Sequence, residues 1–343
     1  MKLKKQFEDF YKEIKIDEEV EDLKEKREIL QSDIESKLPG EFEKHDIKLN
    51  KTEIEFFDQG SYKLNTTISD KEGSIDRDVA VMFPLNIEEN PDPKNIKGYV
   101  RDVLKHNNRT LIIKEPCVNV SYIENGKEWM HIDLPVYAKH DGKVYLARGR
   151  EFATEGHFSW EESDPKGLNE WLLDKINGNQ QLRRTVRYIK KWKQEKYRNS
   201  TLDHEVPPGI GLTLLVCDCF VSSTSSEGDD DLTSLQQTVQ NMINLFSLTY
   251  KDGEVVKADI SRKLPVTPET DVFKKMKDSS DNYGVTFYKR LNTALQNLID
   301  ACNEESEHDA GISVQKVFGD EFQVPAKQVA SSNTINKKEH NFG

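Results

Sequence analysis

The sequence predicts an α+β fold made of two lobes, because strand-like and helix-like segments occupy different parts of the chain. Runs of β-branched and aromatic residues are concentrated between residues 53 and 138, whereas the segments on either side place apolar residues at helical spacing. The chain has 343 residues, more than the about 100 to 200 that are typical of one domain. We therefore predict an N-terminal lobe over residues 1–160, a mostly helical lobe over residues 161–325 and a flexible tail over residues 326–343.

Two helices are predicted at the N-terminus. Residues 1–15 carry apolar side chains at helical spacing, and Asp17 can cap a second helix. The apolar stripe of this second helix runs from Val20 to Leu38. Pro39 is expected to end it, because proline lacks the N–H that continues a helix.

The predicted sheet begins at Glu53, and its first part extends to Phe83 with a turn-rich interruption over residues 69–74. A helix is expected over residues 96–105, followed by strands over residues 110–114 and 117–124. Asn125-Gly126 is a strong signal for a two-residue hairpin. The hairpin leads into an alternating run over residues 129–137 and fixes the face on which Asp133 lies.

The C-terminal half is predicted to be mostly helical. Residues 152–164 show no clear period and are expected to connect the lobes. The tail from Ala326 is expected to be disordered, because it has few apolar residues to bury. Helices are expected over residues 167–176, 180–197, 210–220, 232–248 and 285–302, with an extended segment over residues 255–260.

Carboxylates on two predicted strands are the first functional signal. Asp76 and Asp78 stand two residues apart in a strand-like run, so both side chains point to the same face. Like charges held this close repel, and Mg²⁺, which prefers oxygen ligands, relieves the repulsion. If the strand of Asp133 pairs beside the first, the three carboxylates can hold two ions and stabilise a leaving pyrophosphate. The alternative is a solvated pair on the open face of an edge strand.

His131 lies two residues before Asp133 and shares its face. We expect an imidazole that is hydrogen-bonded or faces solvent here, rather than a catalytic one.

The turn from Gln59 through Gly60 to Ser61 is the second functional signal. Its glycine lets the backbone approach a ligand and exposes N–H groups that can bind phosphate.

A basic helix is the third functional signal. Arg183, Arg187 and Lys190 fall on one side of the predicted helix over residues 180–197. Three cations on one side of a helix can grip a triphosphate. The alternative is an ordinary solvated basic face.

These motifs, in this order, resemble those of the polymerase-β-type nucleotidyltransferases, which carry Gly-Ser, then Asp-x-Asp on one strand and a later Asp on another. The longer segments QGSYKLNTTI, SIDRDVAVMF and HIDLPVYA resemble the bacterial cyclic-oligonucleotide synthases related to cyclic GMP-AMP synthase and DncV. The resemblance extends from the N-terminal helices to about Pro325. It implies a polymerase-β-like nucleotidyltransferase lobe, a helical C-terminal lobe and a long N-terminal spine helix.

The resemblance also implies an enzyme that uses ATP, GTP or other nucleoside triphosphates. Related sequences often have a phosphate-binding Ser where Gly209 stands, so Gly209 is not counted as a site residue. Tyr62 and Leu64 are expected near the base pocket. The implied catalytic residues and ligands of two Mg²⁺ ions, for which Mn²⁺ can substitute, are Asp76, Asp78 and Asp133, and the implied nucleotide-binding residues are Gln59, Gly60, Ser61 and Lys190.

The product implied by the resemblance is a cyclic di- or trinucleotide second messenger, made in bacterial anti-phage (CBASS) signalling and read by a downstream effector. Some antiviral operons pair such synthases with ubiquitin-ligase-like enzymes that conjugate the C-terminus of the synthase. The ending Asn341-Phe342-Gly343 is similar, which makes Gly343 a candidate conjugation site. An unmodified flexible end is the alternative.

Two other functions remain open at this point. One is a linear nucleotidyltransferase that acts on RNA, a protein or a small molecule. The other is a catalytically silent nucleotide sensor that only binds a partner. The presence of all three carboxylates favours an active enzyme over the sensor.

Composition excludes several other classes. The formal net charge of -12 disfavours binding of long nucleic acid, which depends on a basic surface. No stretch approaches the about 18 consecutive apolar residues of a membrane-spanning helix, and the charged N-terminus does not resemble a signal peptide. The four cysteines lack paired zinc spacing, which favours reduced thiols and a cytoplasmic location.

Overall fold

Two helices open the chain in the computed structural model, which describes residues 2–16, 20–69, 75–124, 126–202, 204–279, 281 and 283–327. They are α1 (Lys4–Ile14) and α2 (Val20–Glu43). The predicted cap, Asp17, lies outside the described residues. The prediction that α2 ends at Pro39 is wrong. Leu38 and Phe42, one turn apart, are both fully buried, and their packing outweighs the one hydrogen bond that proline removes.

A mixed sheet follows and contains the predicted strands. The elements of this part are β1 (Glu55–Gln59), α3 (Gly60–Lys63), β2 (Ile75–Pro84), α4 (Pro93–Val103), β3 (Arg109–Ile113), β4 (Val118–Glu124), β5 (Lys127–Leu134), β6 (Val136–His140), β7 (Lys143–Arg148) and β8 (Ser159–Glu162). The central strand β2 pairs with β1 along one edge and with β5 and then β6 along the other. Strands β4 and β3 extend the sheet beyond β5, and β7 and β8 extend it beyond β6.

Strand β2 is parallel to both β5 and β6. The predicted single run over residues 129–137 is in fact two strands, because Pro135 lacks the N–H that a continuous ladder needs. The Pro135 carbonyl still accepts a hydrogen bond from Val81 N at 2.9 Å, which keeps the register. The predicted hairpin is confirmed, since Glu124 pairs directly with Lys127.

The two faces of β2 have different neighbours. Val79, Val81 and Phe83 pack with α2 and α4 in one hydrophobic cluster. Ala80 and Met82 point the other way and pack with Tyr137. Because alternate residues share a face, Asp76 and Asp78 lie on the face that is turned away from α2.

The rest of the described chain is mostly helical. A predicted helix over residues 232–248 ends earlier, at Asn244, and residues 247–251 instead form a hairpin strand joined through Asp252-Gly253. The elements are α5 (Pro165–Ile176), α6 (Gln180–Tyr197), α7 (Gly209–Cys219), β9 (Thr224–Ser225), β10 (Gly228–Asp229), α8 (Asp231–Asn244), β11 (Ser247–Lys251), β12 (Glu254–Asp259), α9 (Lys274–Lys277), α10 (Tyr283–Asn303) and α11 (Glu307–Phe318).

Two further differences concern the join between the predicted lobes. The segment expected to be a connection, residues 152–164, contributes β8 to the sheet. Helix α1 packs with the C-terminal helices, because Phe7 and Phe10 contact the rings of Tyr188 and Phe322. The boundary at residue 160 stays a prediction.

Candidate active site

The register of the sheet brings the predicted carboxylates to one level. In the parallel pairing of β2 with β5, Asp76 lies opposite His131 and Asp78 lies opposite Asp133. On the other edge of β2, Asp78 pairs with Gln59 at the end of β1. Because these positions share a register, residues from three strands converge on one face of the sheet.

Among the described residues, Asp76, His131 and Asp133 form a group that could hold a metal ion, because their potential ligand atoms all lie within 4.8 Å of one another. His131 Nε2 lies 3.2 Å from Asp76 Oδ1, and its Nδ1 lies 3.1 Å from Glu128 Oε1. The imidazole is therefore satisfied, as expected. Its place between the carboxylates, however, was not predicted.

Asp133 has two polar neighbours of its own. Asn119 Nδ2 donates a hydrogen bond to Asp133 Oδ1 at 2.6 Å. Lys114 Nζ lies 3.6 Å from the same oxygen. Asn119 comes from β4, which lies beside β5, so neighbouring strands fix the orientation of this carboxylate.

The electrostatics show strong repulsion among the carboxylates. Burial, together with the charges of Asp76 and Asp133, holds the pKa of Asp78 well above its usual range. Burial lowers the pKa of His131, but the hydrogen bond to Asp76 and the charges of Asp76 and Asp133 raise it overall. Asp76 Oδ1 is itself a buried atom. The two carboxylates and one imidazole of Asp76, Asp133 and His131, with the negative charge of Asp78 nearby, fit a divalent cation.

The predicted phosphate turn lies directly beside Asp78. Gly60 adopts a left-handed φ of 63°, and a Cβ at this position would lie 3.1 Å from Asp78 Cγ and even closer to Oδ2. Only glycine combines this backbone conformation with this close approach. Gln59 Oε1 accepts a hydrogen bond from Tyr137 at 3.3 Å, and Ser61 Oγ accepts one from Thr67 at 3.1 Å.

Lys190 extends from α6, whose first turn is capped by Asn179. Its Nζ donates to Thr66 O at 3.1 Å. Burial and the nearby cations Lys193 and Arg187 lower the pKa of Lys190 to about 7, although Asp76 and Asp78 act in the opposite direction. A lysine with this pKa binds a proton readily once a phosphate supplies negative charge.

The other two cations of the predicted basic side make hydrogen bonds away from the carboxylates. Arg187 is 1 % exposed and donates to Thr67 O, Tyr11 Oη and Asn65 Oδ1. Arg183 donates to Gln180 Oε1 at 3.0 Å. Neither is among the described residues that line the cavity next to the carboxylates.

That cavity has a volume of about 530 Å³, which is within the usual size range of small-molecule sites. Its polar wall contains six of the predicted residues: Gln59, Gly60, Ser61, Asp76, Asp78 and Lys190. Its apolar wall includes Leu64, as expected. Tyr62 is not among the described residues that line this cavity, because its ring lies 3.8 Å from the Arg77 guanidinium and packs with the sheet cluster. Its expected place near the base stays a prediction.

Several lining residues were not predicted from the sequence. Lys193 lies one turn after Lys190, and a search for cations at i+3 could have found it. Tyr137 and the segment from Leu264 to Pro268 also line the cavity, but no local pattern marks them. Gly209 lines it without offering a side chain.

The candidate conjugation site, Gly343, lies outside the described residues.

Among the described helices, none combines the length and the apolar character that crossing a bilayer requires.

Comparisons with known proteins show what part of this chain is similar to. Residues 54–137 match a family model described as the nucleotidyltransferase domain of cyclic GMP-AMP synthase DncV-like proteins. This match contains Gln59, the Asp76 and Asp78 pair, and Asp133. The fold is therefore of the DncV-like, polymerase-β type.

Solved structures extend the likeness over most of the chain. The GTP-bound form of Vibrio cholerae DncV is 18% identical, with a TM-score of 0.68 over 92% of this chain and 96% of that one. The same protein with the linear intermediate 5′ pppA(3′,5′)pG is 17% identical, with a TM-score of 0.67 and the same coverage. Escherichia coli DncV with 3′-deoxy GTP is 16% identical, with a TM-score of 0.65 over 90% of this chain and 93% of that one.

Proposed function

Because the chain is an enzyme with a DncV-like nucleotidyltransferase domain, we propose that it joins nucleoside triphosphates and closes them into a cyclic di- or trinucleotide. ATP, GTP or both are the proposed substrates. The observation that carries the proposal has three parts: Asp76, Asp78 and Asp133 share one face of the sheet, Asp76 and Asp78 line the same 530 Å³ cavity as Lys190, and Asp76 and Asp133 belong to one group of potential metal ligands.

The acidic residues would hold two Mg²⁺ ions, with Mn²⁺ as an alternative. In this proposal, Asp76 and Asp78 would bind both ions and Asp133 would bind the second. When bound, the ions supply positive charge at the attacking hydroxyl and at the leaving pyrophosphate. His131 contacts Asp76 and orients its carboxylate.

The donor triphosphate would be bound by the turn and by the basic helix. The backbone around Gly60 and Ser61 lies next to Asp78, and its N–H groups would donate hydrogen bonds to a phosphate bound there. Gln59 contributes from the same turn. Lys190 takes up a proton as the triphosphate arrives, because negative charge restores its lowered pKa.

The acceptor hydroxyl would be activated at Asp133. Its carboxylate is oriented by the hydrogen bond from Asn119 Nδ2, so one oxygen is fixed and the other can accept the proton of a ribose hydroxyl. Apolar residues such as Leu64, Leu168 and Ile210 also line the cavity. They offer a surface on which a base can pack.

The proposed setting is bacterial anti-phage (CBASS) signalling in the cytoplasm, in which the cyclic product activates a downstream effector. A ubiquitin-ligase-like partner that conjugates Gly343 belongs to the same proposal. Coexpression with such a ligase, followed by mass spectrometry of the C-terminal peptide, tests this part. An unmodified Gly343 carboxylate in cells that make product would remove it.

The enzymatic proposal is tested with labelled nucleoside triphosphates and Mg²⁺ or Mn²⁺, followed by phosphatase. A cyclic product keeps its label, whereas a linear triphosphate-ended product loses it. The double variant Asp76→Ala, Asp78→Ala should make no product and remain folded by circular dichroism. Asp141→Ala, at a side chain that is 86% exposed, is the control and should retain full activity. A phosphatase-sensitive product would favour linear transfer, and wild-type turnover in the double variant would refute the site.

A further inference from the structure

A second cavity of about 360 Å³ adjoins the catalytic one and shares Lys193 with it. Its polar lining consists of Lys193, Lys275, His204, Ser200 and Thr201. None of the described residues that line it carries a carboxylate. In a chain whose formal net charge is -12, a cavity with two lysines, an imidazole and two hydroxyls is suited to an anion.

Lys193 connects the two cavities. It follows Lys190 by three residues on α6, a rise of about 4.5 Å along the helix axis. Its side chain is half-buried. Burial lowers the pKa of Lys193, and the charge of Asp76 opposes this, so the ammonium lies within the field of Asp76.

Lys275 approaches the second cavity from α9 and does not line the catalytic one. Its Nζ lies 2.7 Å from Glu115 Oε2, outside the cavity lining. An ammonium has three donors, and Glu115 occupies one of them. Lys275 therefore has donors left for a second anionic ligand, although Glu115 offsets part of its charge.

We propose that this second cavity is an oligophosphate subsite that receives the pyrophosphate leaving the catalytic cavity, a step that rests on the proposed nucleotidyl transfer. In that transfer, the acceptor hydroxyl oxygen forms a bond to the α-phosphorus and its proton passes to Asp133. The bond between the α-phosphorus and the bridging oxygen breaks, and its electron pair leaves with pyrophosphate. Lys193 contacts the outer phosphate end while Lys190 holds the inner one.

The chemistry of the cavity favours phosphate over a base. Its charged and hydroxyl groups match the oxygens of an oligophosphate, which are bound by charge-assisted hydrogen bonds. The triphosphate tail of the acceptor nucleotide has the same chemistry. The position of Lys193, one helical turn beyond Lys190, favours the leaving group of the donor.

Direct binding of inorganic pyrophosphate to the full chain tests the inference. Isothermal titration calorimetry in EDTA removes divalent ions, so the acidic residues do not contribute. We expect Lys193→Gln to weaken binding about 10-fold, the loss of one charge-assisted contact. Lys275→Gln should weaken it about 3-fold, because Glu115 already accepts one of its donors. The control, Lys274→Gln, removes a neighbouring exposed charge on α9 and should leave binding unchanged.

Several outcomes would overturn the assignment. Equal binding in Lys193→Gln, Lys275→Gln and wild type would remove the subsite, as would a loss confined to Lys190→Gln. Lys193→Arg keeps the positive charge and should keep most of the affinity for pyrophosphate. Equal melting temperatures of the variants and the wild type show that a loss of affinity does not come from misfolding. If the two Gln variants instead raise the KM for the acceptor without changing pyrophosphate affinity, the cavity holds the acceptor's triphosphate. A wild-type chain that binds pyrophosphate but makes no nucleotide product would overturn the proposed function alone.

Discussion

Replacing Gly60 by alanine should separate the cost of backbone strain from the cost of a misplaced catalytic group. Gly60 has a φ of 63°, and its added Cβ would lie 3.1 Å from Asp78 Cγ and closer to Oδ2. Gly142, in the turn between β6 and β7, has a φ of 75° but no described atom within 4 Å of the corresponding Cβ. The two glycines therefore share the strain but differ in the contact.

The expected magnitudes follow from this difference. An L-residue in the left-handed region costs about 1 to 2 kcal/mol, so both Gly60→Ala and Gly142→Ala should lower the free energy of unfolding by about 1 kcal/mol. Only Gly60→Ala must displace the Asp78 carboxylate, by about 1 Å. A displacement of this size in a reacting group costs about 100-fold in rate.

The assay compares the initial rate of cyclic product formation with stability in urea for both variants. Gly60→Ala should lose about 100-fold in kcat while Gly142→Ala keeps wild-type kcat, with similar unfolding free energies. A wild-type rate in Gly60→Ala would show that Asp78 does not depend on this turn. An equal loss of rate in both variants would show that strain, and not the contact with Asp78, is responsible.

Three further predictions concern the surroundings of the site. Arg77→Met removes an Asp58 partner whose side chain is only 4% exposed. Arg27 stays 3.6 Å from the same carboxylate, so the variant should cost about 2 kcal/mol in urea unfolding, the loss of a charge-assisted hydrogen bond, whereas Arg198→Met, at an exposed pair, should cost less than about 1 kcal/mol. Asp78→Asn should raise the melting temperature of the metal-free protein at pH 7, because the raised pKa of Asp78 means that its charge opposes folding; the difference should vanish below about pH 4, and added Mg²⁺ should stabilise only the wild type. Lys97→Met should cost about 2 kcal/mol at pH 7, because Lys97 Nζ donates to three backbone carbonyls. Since burial lowers the pKa of Lys97 to about 8 from 10.5, the unfolded chain binds more protons between these values, and the wild-type advantage should grow as pH rises through them.

Each of these predictions has an outcome that contradicts it. Equal costs for the two arginine variants would mean that burial of the Arg77 pair does not matter. A lower melting temperature for Asp78→Asn at pH 7 would mean that the carboxylate charge stabilises the metal-free fold. A wild-type advantage over Lys97→Met that falls above pH 8 would mean that the folded protein retains the proton of Lys97.

Local sequence patterns were sufficient for much of the sheet and for the choice of catalytic candidates. Alternation placed Asp76 and Asp78 on one face, and the Asn125-Gly126 hairpin set the face of Asp133. The same hairpin signal also occurs at Asp141-Gly142 and Asp252-Gly253, and applying it there would have predicted two further strand pairs. Proline was less informative, since Pro39 continues a helix whereas Pro135 divides a strand.

The basic helix shows why some residues could not be sorted from the sequence. Arg187 and Lys190 lie on the same side of α6, yet Arg187 is buried by α1 and by residues before β2, whereas Lys190 lines the cavity. Helical spacing gives the direction in which a side chain points and not what it meets there. Contacts with segments more than 100 residues away decide that.

What the sequence determined by itself was the set of chemical groups and their order: a glycine turn, two carboxylates on one strand and a third on another. These depend on a two-residue period and on local backbone conformation, which neighbouring residues fix. The tertiary structure alone decided which groups meet, including His131 between the carboxylates, Lys193 between two cavities and Tyr62 on Arg77. Such contacts join segments that are distant in the chain, and their free energy comes from burial and charge in three dimensions, which no local pattern contains.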